Sequence, residues 1–537
     1  MPSPAPKARQ EIQEVQLKVV GGNKFGRYDK ISQEQTFNMI VSDDALVDYA
    51  GYKDVLTQSP DLPGRAIYSS VPGAFMICVW GEGVFKISQG LSATFLGNLA
   101  TGTGDVFISE NNNKEIAITD QKHLYVYNYG APTTPVIQTS GVDFMVGTFP
   151  ITTPGYISFQ NGRLIIADLH TTNWYLSDFN KATVWSNGSA FVGALQSKPD
   201  TVQAAVPTPG GGNNLVLFGH NVIEQWQDIN TALFPYQRSS TFNVDYGCLN
   251  ASSIAALDTF VVWLSANEQS GTTLMVYSGN QVESISTDGM DYTLNGLTNP
   301  SNCTGFLFRQ DGHLLYQFTF PDDNLSYVYD FNTKLFFTVT DENYNYHIAR
   351  NVVFFNNHYY FVSLKGGNLY RFGTQYTNFE YEEGNIQQIP RDRVCPPLRL
   401  PSQRMYIIKS LGFTVENGQP NEITVQERNS YTGVGEILDT EGLSELSTEG
   451  LTMIATEGSP SVVNTITTAS ENIDLSVSKD GGVSFGSSWR KPMNPVGKRR
   501  SRMIWQRLGQ ANDSTYRIKF VGYGRFVAFD GVVEVFQ

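Results

Sequence analysis

The residues of this chain best suited to acid–base or metal chemistry are its histidines and cysteines. No two of the histidines have the spacing of metal ligands, and no two of the cysteines form a C-x-x-C pair. The residues concerned are His123, His170, His220, His313, His347, His358, Cys78, Cys248, Cys303 and Cys395. We therefore expect no metal site and no disulfide framework, and we interpret the cysteines as free, buried thiols in a reducing compartment.

The usual catalytic motifs are missing from the sequence. It contains no H-E-x-x-H, G-x-S-x-G, P-loop or EF-hand pattern. Acid–base catalysis needs two carboxylates close together in one pocket, whereas the acidic runs Asp322–Asp323 and Glu380–Glu383 are typical of turns and surfaces. We predict no catalytic residue, no cofactor and no enzymatic activity.

One local motif has a definite geometry. Ser478, Asp480, Gly482 and Phe485 fit the pattern of an Asp-box hairpin, in which the Ser and Asp side chains bond to the turn backbone and the aromatic ring packs below. We interpret it as a structural turn motif. Because the motif also occurs in sialidase-type propellers, it keeps open an alternative function as a β-propeller glycosidase or a carbohydrate-binding depolymerase.

A basic run near the C-terminus consists of Lys498, Arg499, Arg500 and Arg502. One interpretation is contact with DNA phosphates or with an acidic partner. The other is a solvated strand edge, where positive charge prevents another strand from adding to the sheet. The sequence leaves both interpretations open.

The composition places these groups in a β-rich protein of more than one domain. The chain has 537 residues, too many for a single core, and is 12% aromatic but only 16% charged. Its formal net charge of −14 argues against a protein that simply coats nucleic acid. The charge is uneven, because residues 1–400 are acidic whereas residues 490–537 are basic.

A repeated hairpin pattern fills the acidic part of the chain. Each copy has a short apolar strand, a turn of Gly, Asn or Asp, and a second strand rich in Tyr, Val and Leu. The copies begin near Gly73, Lys114, Gly155, Asn214, Asp258, Gly312 and Asn351. In the third copy Asn161 and Gly162 can supply the positive φ angles of a two-residue turn. Repeats of roughly 40–50 residues with several strands predict a β-propeller of about seven blades.

The rest of the chain predicts a second domain. Residues 387–401 hold four prolines, which interrupt strand pairing, so we expect a linker there. The expected division is therefore an N-terminal arm at 1–32, a propeller at 33–386, the linker at 387–401 and a C-terminal β-sandwich at 402–537. Within the arm, residues 8–19 could be a short helix or extended. A TEG repeat at 440–458 could be ordered turns or a flexible loop inserted in the sandwich.

No stretch of the sequence predicts a membrane span, since no run approaches about 20 apolar residues. The opening residues also lack the apolar segment of a signal peptide. We therefore expect synthesis in a cytoplasm.

Two phrases of the sequence have a distinctive pattern. The first, TFNMIVSDDALVDYAGYKDVLTQSPDLPGRAIY, has an Asn-led strand and a Pro-Gly turn. The second, DLSVSKDGGVSFGSSWRKPMNPVGKRRSRMIWQRLG, has a DGG turn, a basic stretch and a W-x-R-L-G ending. These phrases resemble the packaged-DNA stabilisation, or tail hub and nozzle, proteins of short-tailed bacteriophages; the matching residues are Asn38, Met39, Ser59, Pro63, Gly64, Trp505, Arg507, Leu508 and Gly509.

This resemblance implies a non-enzymatic structural protein of the virion tail, made in the cytoplasm of the host bacterium. It implies a homohexameric ring below the portal and adaptor proteins, which retains packaged DNA and lets double-stranded DNA pass without sequence specificity. It also implies attachment of tail fibres or spikes and of a tail-tip plug or needle. Because like charges repel, we expect the acidic body to suit a DNA channel and the basic end to face protein partners.

Overall fold

The computed structural model describes most of the chain. The described residues are 12–26, 34–59, 62–131, 143–146, 151–186, 191–208, 212–231, 234–257, 259–267, 271–402, 404–417, 424–427, 439–440, 444–445, 463–466, 471–493 and 500–536. The chain forms two compact units. We call residues 55–334 and 345–373 the propeller unit, and residues 1–54, 335–344 and 374–537 the terminal unit.

Seven antiparallel sheets of three or four strands follow one another among the described residues of the propeller unit. Blades one to three contain Gly64–Ser69, Phe75–Trp80, Gly83–Ser88 and Ala93–Asn98; Phe107–Glu110, Glu115–Thr119 and Leu124–Asn128; and Pro154–Gln160, Arg163–Asp168, Asn173–Leu176 and Val192–Ala194. Blades four and five contain Val202–Pro207, Asn214–Gly219, Ile223–Asp228 and Tyr236–Val244; and Ala255–Leu257, Phe260–Asn267, Gly271–Ser278 and Gln281–Ser284. Blade six contains Thr304–Gln310, His313–Phe320 and Leu325–Asp330, and blade seven contains Ala349–Phe355, His358–Ser363 and Gly367–Gly373.

An early segment of the chain completes the last blade. The strand Gly51–Ser59 is the neighbour of Gly367–Gly373, and Asn368 Nδ2 donates a hydrogen bond of 3.0 Å to Thr57 Oγ1. A strand from before the first blade thus closes the ring of blades. The prediction of a β-propeller with about seven blades is confirmed, and each predicted hairpin copy lies within one of these sheets.

The hairpin turns have the predicted backbone geometry. Asn161 and Gly162 have φ angles of 49° and 83°, and they join two strands that pair from Gln160 to Arg163. The central strands of several blades, such as Glu115–Thr119 and His313–Phe320, are buried on both faces because neighbouring blades cover them. All six residues of Phe75–Trp80 are buried.

Carboxylates fix the loops that enter several blades. Asp120, directly after the second strand of blade two, accepts hydrogen bonds from the backbone of Thr101 and the hydroxyl of Tyr125. Asp168 accepts bonds from Thr152 and Thr153 at the entrance of blade three. Glu224 and Asp323 accept backbone bonds from the loops before blades four and six in the same manner. These bonds satisfy loop N–H groups that no strand pairs.

Two sheets form most of the described part of the terminal unit. The first has the order Met39–Ser42, Ala45–Asp48, Phe526–Phe536, Tyr406–Asn417 and Arg500–Ala511, with Ile12–Leu17 also beside Phe526–Phe536. The second has the order Leu335–Thr338, Gln35–Phe37, Arg391–Val394, Asp513–Val521, Asn472–Ser478 and Trp489–Pro492, with Leu398–Arg399 beside Asp513–Val521. Phe413 of the first sheet contacts Phe520 of the second, with ring centroids 6.5 Å apart, as expected for a sandwich core.

The remaining elements are short. In the terminal unit Asn378–Glu382 pairs with Asn385–Gln388 and with the beginning of Gly51–Ser59. In the propeller unit Asp143–Val146 pairs with Val184–Ser186. In the terminal unit Thr424–Glu427 also pairs with Val463–Ile466, and Asp439–Thr440 pairs with Ser444–Glu445. The described helices are the 3₁₀ turn Ala251–Ser253 and the α-helix Asp288–Asn295, and no described helix is long and apolar enough to span a membrane.

The expected domain bounds stay a prediction, and the two compact units group the chain differently. Residues 34–54, 335–344 and 374–386, expected in the propeller, lie in the terminal unit. The expected linker contains the strand Arg391–Val394, which is buried and pairs on both sides. The physical reason is position: Pro390, Pro396 and Pro397 stand before and after this strand, so none of them removes a donor from it.

The N-terminal arm is extended where it is described, because Ile12–Leu17 pairs in antiparallel register with Gly531–Phe536. This settles the choice between a helix and an extended segment for those residues. Most of the TEG repeat lies outside the described residues.

Candidate functional site

The innermost strands of the blades surround a cavity on the propeller axis. Its volume is about 370 Å³, and side chains from blades one, two, three, five, six and seven line it. Most of the residues that line it are aliphatic or aromatic, such as Tyr68, Ile108, Tyr156, Phe306 and Val352. The lining also includes Arg65, Ser252 and Asn351.

Arg65, at one side of this cavity, is the most heavily bonded cation of the propeller unit. Its Nε donates to Gly104 O at 2.9 Å, and its two terminal nitrogens donate to Gly81 O, to Thr101 and to Thr103 O. Burial lowers the pKa of Arg65, while the nearby carboxylate of Asp120 opposes this. Since its donors are occupied by the protein itself, Arg65 fixes the loop between blades one and two.

A second cation near the axis is also neutralised. Arg350 Nη2 lies 2.6 Å from Asp105 Oδ1, and both side chains are largely buried. Burial lowers the pKa of Arg350, and Asp105 counteracts this. The charges around the axis therefore form a closed internal network.

The histidines do not form a catalytic or metal site within the described residues. His313 Nδ1 lies 2.9 Å from the buried carboxylate of Asp330, and His347 Nδ1 lies 3.1 Å from Gln317 Nε2. The first contact joins two neighbouring strands of blade six, and the second joins a strand of blade six to the segment just before blade seven. No group of three potential metal ligands is found in the part of the chain that the structure describes.

The cysteines are buried and free, as the sequence predicts. Burial raises the pKa of Cys248 and of Cys395 to about 12, so these thiols stay protonated at neutral pH. A protonated, buried thiol is a poor nucleophile and a poor metal ligand.

The predicted Asp-box forms the turn that its pattern indicates. Ser478 Oγ accepts a hydrogen bond from Gly482 N at 2.9 Å, and Asp480 accepts bonds from the backbone and the hydroxyl of Ser484. Bonds from Ser478 and Ser484 hold the pKa of Asp480 well below its ordinary value. Phe485 is half-buried. The carboxylate is occupied by its own turn, so this motif gives no support to a glycosidase.

The predicted basic run is only partly described. Lys498 and Arg499 lie outside the described residues. Arg500 is exposed, 3.3 Å from Glu416 and above the ring of Phe529, and Arg502 is exposed on the same strand. The two arginines stand on the outward face of the first sheet of the terminal unit.

The residues that carry the two resembling phrases have structural roles. Asn38 has a φ of 53°; its Nδ2 donates to Thr340 Oγ1 and Pro390 O, and its Oδ1 accepts from Thr340 N at 2.8 Å. Trp505 and Leu508 are buried, and Gly509 adopts a φ of 94°. Met39 and Gly64 are buried and Pro63 is half-buried, whereas the side chain of Ser59 is not among those that the structure describes.

Sequence reasoning missed the buried charges of the strand Arg391–Val394. Arg393 donates to Val19 O, Gly22 O and Glu34 Oε2, and it is inaccessible to solvent. Arg391 lies 2.6 Å from Asp48, and Asp392 accepts from Tyr344 and Arg517. The available signal was the unusual alternation R-D-R between prolines, which the sequence analysis took for a linker.

Fold and site together define a β-propeller protein with a second, sandwich-like unit, in which polar groups serve assembly of the fold. A family model described as Bacteriophage P22 Gp10, beta-propeller matches residues 47–376, and one described as Bacteriophage P22 Gp10, beta-sandwich matches residues 437–535. The chain belongs to this family of packaged-DNA stabilisation and tail hub proteins of short-tailed phages. The predicted resemblance and the predicted fold class are both confirmed.

Comparison with other proteins adds little beyond the family. No curated protein matches the sequence. Among solved structures, the extracellular domain of a putative one-component system from B. thetaiotaomicron has a TM-score of 0.40 and 12% identity, with 59% of this chain and 39% of that chain covered. A streptogramin B lyase has a TM-score of 0.40 and 10% identity, with 60% and 97% covered. Similarity at this level carries no argument about function.

Proposed function

We propose that the protein is a structural subunit of the phage tail hub, or nozzle. Six copies form a ring below the portal and adaptor proteins, retain the packaged DNA and provide its exit channel. The observation that carries this proposal is the match of residues 47–376 to the propeller of the P22 Gp10 family. The ring, the DNA retention and the attachment of fibres or spikes and of a tail-tip plug go beyond that match.

The chemistry of the molecule supports a passive role toward DNA. The chain has a net charge of −14, and it holds the cations of the propeller axis in internal networks around Arg65 and Arg350. A surface of the same sign as the phosphates lets a duplex slide without being held. We therefore propose double-stranded DNA as a passing partner without sequence-specific contacts.

The polar groups also support a non-enzymatic role. The buried carboxylates Asp120, Asp168 and Glu224 are bonded to loop N–H groups, and within the described residues no free carboxylate pair faces the axis cavity. These three carboxylates thus have fold-stabilising partners.

Electron microscopy of the purified protein and of virions tests the proposal. We expect a six-fold ring for the protein and a density of the same shape in the tail, between the head and the tail tip. The matched measurement is release of reducing sugar from host surface polysaccharide. A monomer that releases sugar, and that is absent from the tail of the virion, would overturn the tail hub and favour the glycosidase.

A further inference from the structure

The outward face of the first sheet of the terminal unit contains an open groove of about 360 Å³. Three cationic side chains, one carboxylate and four neutral residues line it. The lining residues are Lys409, Ser410, Gly412, Arg502, Ile504, Gln506, Arg507 and Glu534. We call this the basic groove. Lys409 Nζ lies 2.9 Å from Glu534 Oε2, so the carboxylate is neutralised within the groove.

Two of the cations in the basic groove have no carboxylate partner of their own. Arg502 and Arg507 are exposed, and in the described part of the chain neither forms an ion pair. The groove keeps an excess of positive charge once Lys409 and Glu534 are paired. An anionic partner therefore fits it.

The backbone holds Arg507 in an unfavourable conformation. The register of the strand pair shifts between Ile408 and Ser410, so that Lys409 lies opposite two residues of the neighbouring strand. Arg507 is one of these two residues, and it has a φ of 59°. A glycine or asparagine would occupy this left-handed position at lower cost. Local structure thus explains the bulge but does not explain why its strained residue is an arginine.

The size of the groove indicates a protein segment as its partner. A DNA duplex is a continuous line of charge, about one per 1.7 Å of its axis. The basic groove is instead a small concave site, with Gln506 as a hydrogen-bonding group and with Glu534 bonded inside it by Lys409 and Ser410. Such a site accommodates the tip of an acidic hairpin.

The same unit presents such a hairpin. The strands Asn378–Glu382 and Asn385–Gln388 pair with Glu382 opposite Asn385, and Gly384 has a φ of 83° at the turn. Glu382 and Glu383 are exposed, and neither forms an ion pair with the described residues. Glutamate is not a turn-forming residue, so the hairpin itself does not require this pair.

Another acidic hairpin has a local explanation. Asp43 and Asp44 form the turn between Met39–Ser42 and Ala45–Asp48, and Asp43 has a φ of 51°. Aspartate tolerates this left-handed conformation and is common in turns. The Asp43–Asp44 turn is therefore a natural control for the Glu382–Glu383 turn.

We propose that the basic groove of one copy binds the Glu382–Glu383 hairpin of a second copy of this chain. The contact joins two different surfaces, and a contact of this kind, repeated around an axis, builds a closed ring. Exposed charge pairs add little affinity but fix the register of subunits. The inference rests on the proposed ring and names one contact that orients its subunits.

A charge exchange tests this contact. In one variant Arg502→Glu and Arg507→Glu reverse the groove, and in the other Glu382→Lys and Glu383→Lys reverse the hairpin. Each variant alone opposes like charges, so we expect ring association to weaken by about 100-fold. A mixture of both variants restores opposite charges at every contact and should reassemble as a ring of alternating subunits.

Analytical ultracentrifugation at low and high salt gives the oligomer size, and circular dichroism verifies that each variant is folded. The control is Asp43→Asn with Asp44→Lys, which should assemble like the wild type. If the wild type forms rings and each variant alone assembles as the wild type does, this contact is overturned but the proposed ring stays intact. A folded mixture that fails to reassemble would also overturn it. A wild type that remains monomeric would overturn the ring itself, and the contact with it.

Arg507→Gly separates a structural from a binding role. It removes the cation and relieves the left-handed strain, so we expect an unchanged or higher melting temperature together with association weakened by up to about fivefold. Arg507→Lys keeps the charge and should associate within about twofold of the wild type. Unchanged association of the folded Arg507→Gly variant would exclude Arg507 from the contact.

Discussion

The two units of the chain satisfy their buried polar groups in opposite ways. In the propeller unit, carboxylates bind loops that lie close in sequence: Asp120 accepts from Thr101, and Asp168 accepts from Thr152. In the terminal unit, arginines and amides bind segments from distant parts of the chain. Arg393 donates to Val19 O, 374 positions away.

This difference indicates where each unit is vulnerable. The propeller distributes its stability over many contacts, most of them within a blade or between neighbouring blades, although the pair of Arg350 and Asp105 joins more distant segments. The terminal unit concentrates it on a few buried donors that hold together segments from both ends of the chain. Losing one such donor affects several segments at once, whereas losing one local bond affects one loop.

The largest effect is expected for Arg393→Met. The side chain loses all its donors, and the carbonyls of Val19 and Gly22 and the carboxylate of Glu34 are left without them. Removing one partner from such a buried set costs about 3–5 kcal/mol. Hydrogen exchange resolved by peptide should show loss of protection in the terminal unit with the propeller unit unchanged.

The control for this variant is Arg399→Ala. Arg399 pairs with Asp513 at 2.6 Å but is mostly exposed, so its loss should change stability by less than about 1 kcal/mol. Equal effects of the two substitutions, or loss of protection in the propeller alone, would contradict the contrast between the units.

A smaller but substantial effect is expected for Asn38→Asp. The substitution keeps the shape and the left-handed φ, but it places a carboxylate oxygen against Pro390 O, where the amide now donates. Burying an unsatisfied acceptor costs about 1–3 kcal/mol. Thermal unfolding of the variant measures this cost. Asn38→Gly keeps the left-handed backbone but removes the amide, so it shows how much stability the backbone conformation alone provides. An unchanged melting temperature for Asn38→Asp would show that the amide bonds contribute nothing.

In the propeller unit, Asp120→Asn should cost about 1.5–3 kcal/mol at neutral pH, since it weakens several charge-assisted bonds. Burial raises the pKa of Asp120, but bonds from His123, Lys122 and Thr101 outweigh this and leave it below the ordinary 3.8. Because the pKa is lowered in the folded state, the carboxylate contributes its full stabilisation of the fold above about pH 4, and it contributes less as the pH falls below that. Calorimetry of the wild type and the variant from pH 7 to pH 3 should therefore show the difference between their free energies of unfolding shrinking as the pH falls. A difference that stays constant would contradict the role assigned to this carboxylate.

The smallest effect is expected for Asp480→Asn. The carboxylate is exposed, and its bonds to Ser484 hold only the turn of the Asp-box. We expect faster amide exchange at Ser484 with no change in the exchange of the Asn472–Ser478 strand. Spread of the effect into the sheet would show that the turn also positions the strand.

The propeller could be predicted from the sequence because its information is local. The turn at Asn161–Gly162 and the apolar strands on either side lie within one hairpin, and the pattern recurs along the chain. Counting hairpins was therefore enough to give the fold and the number of blades. The Asp-box was predictable for the same reason, as Ser478 and Asp480 act within their own turn.

The terminal unit could not be predicted in the same way. The partners of Arg393 come from residues 19–36, and those of Asn38 come from residues 338–340 and 390. No local pattern shows that such distant segments meet. The basic run was visible in the sequence, but the groove was not, because a bulge opposite Lys409 and the neighbouring strand of Glu534 create it.

The pairing of Ile12–Leu17 with Gly531–Phe536 has a consequence for synthesis of the protein. The earlier of these strands must wait for a partner more than 500 residues later in the chain, which at roughly 5–20 residues per second takes tens of seconds or longer. During that time the blades can fold on the ribosome, while the early strand has no partner. A chain that ends prematurely lacks Phe526–Phe536, and with it the strand that carries Glu534 and borders the basic groove. Synthesis of this later strand thus acts as a checkpoint, since only a chain that contains it presents the surface we propose for joining its neighbours.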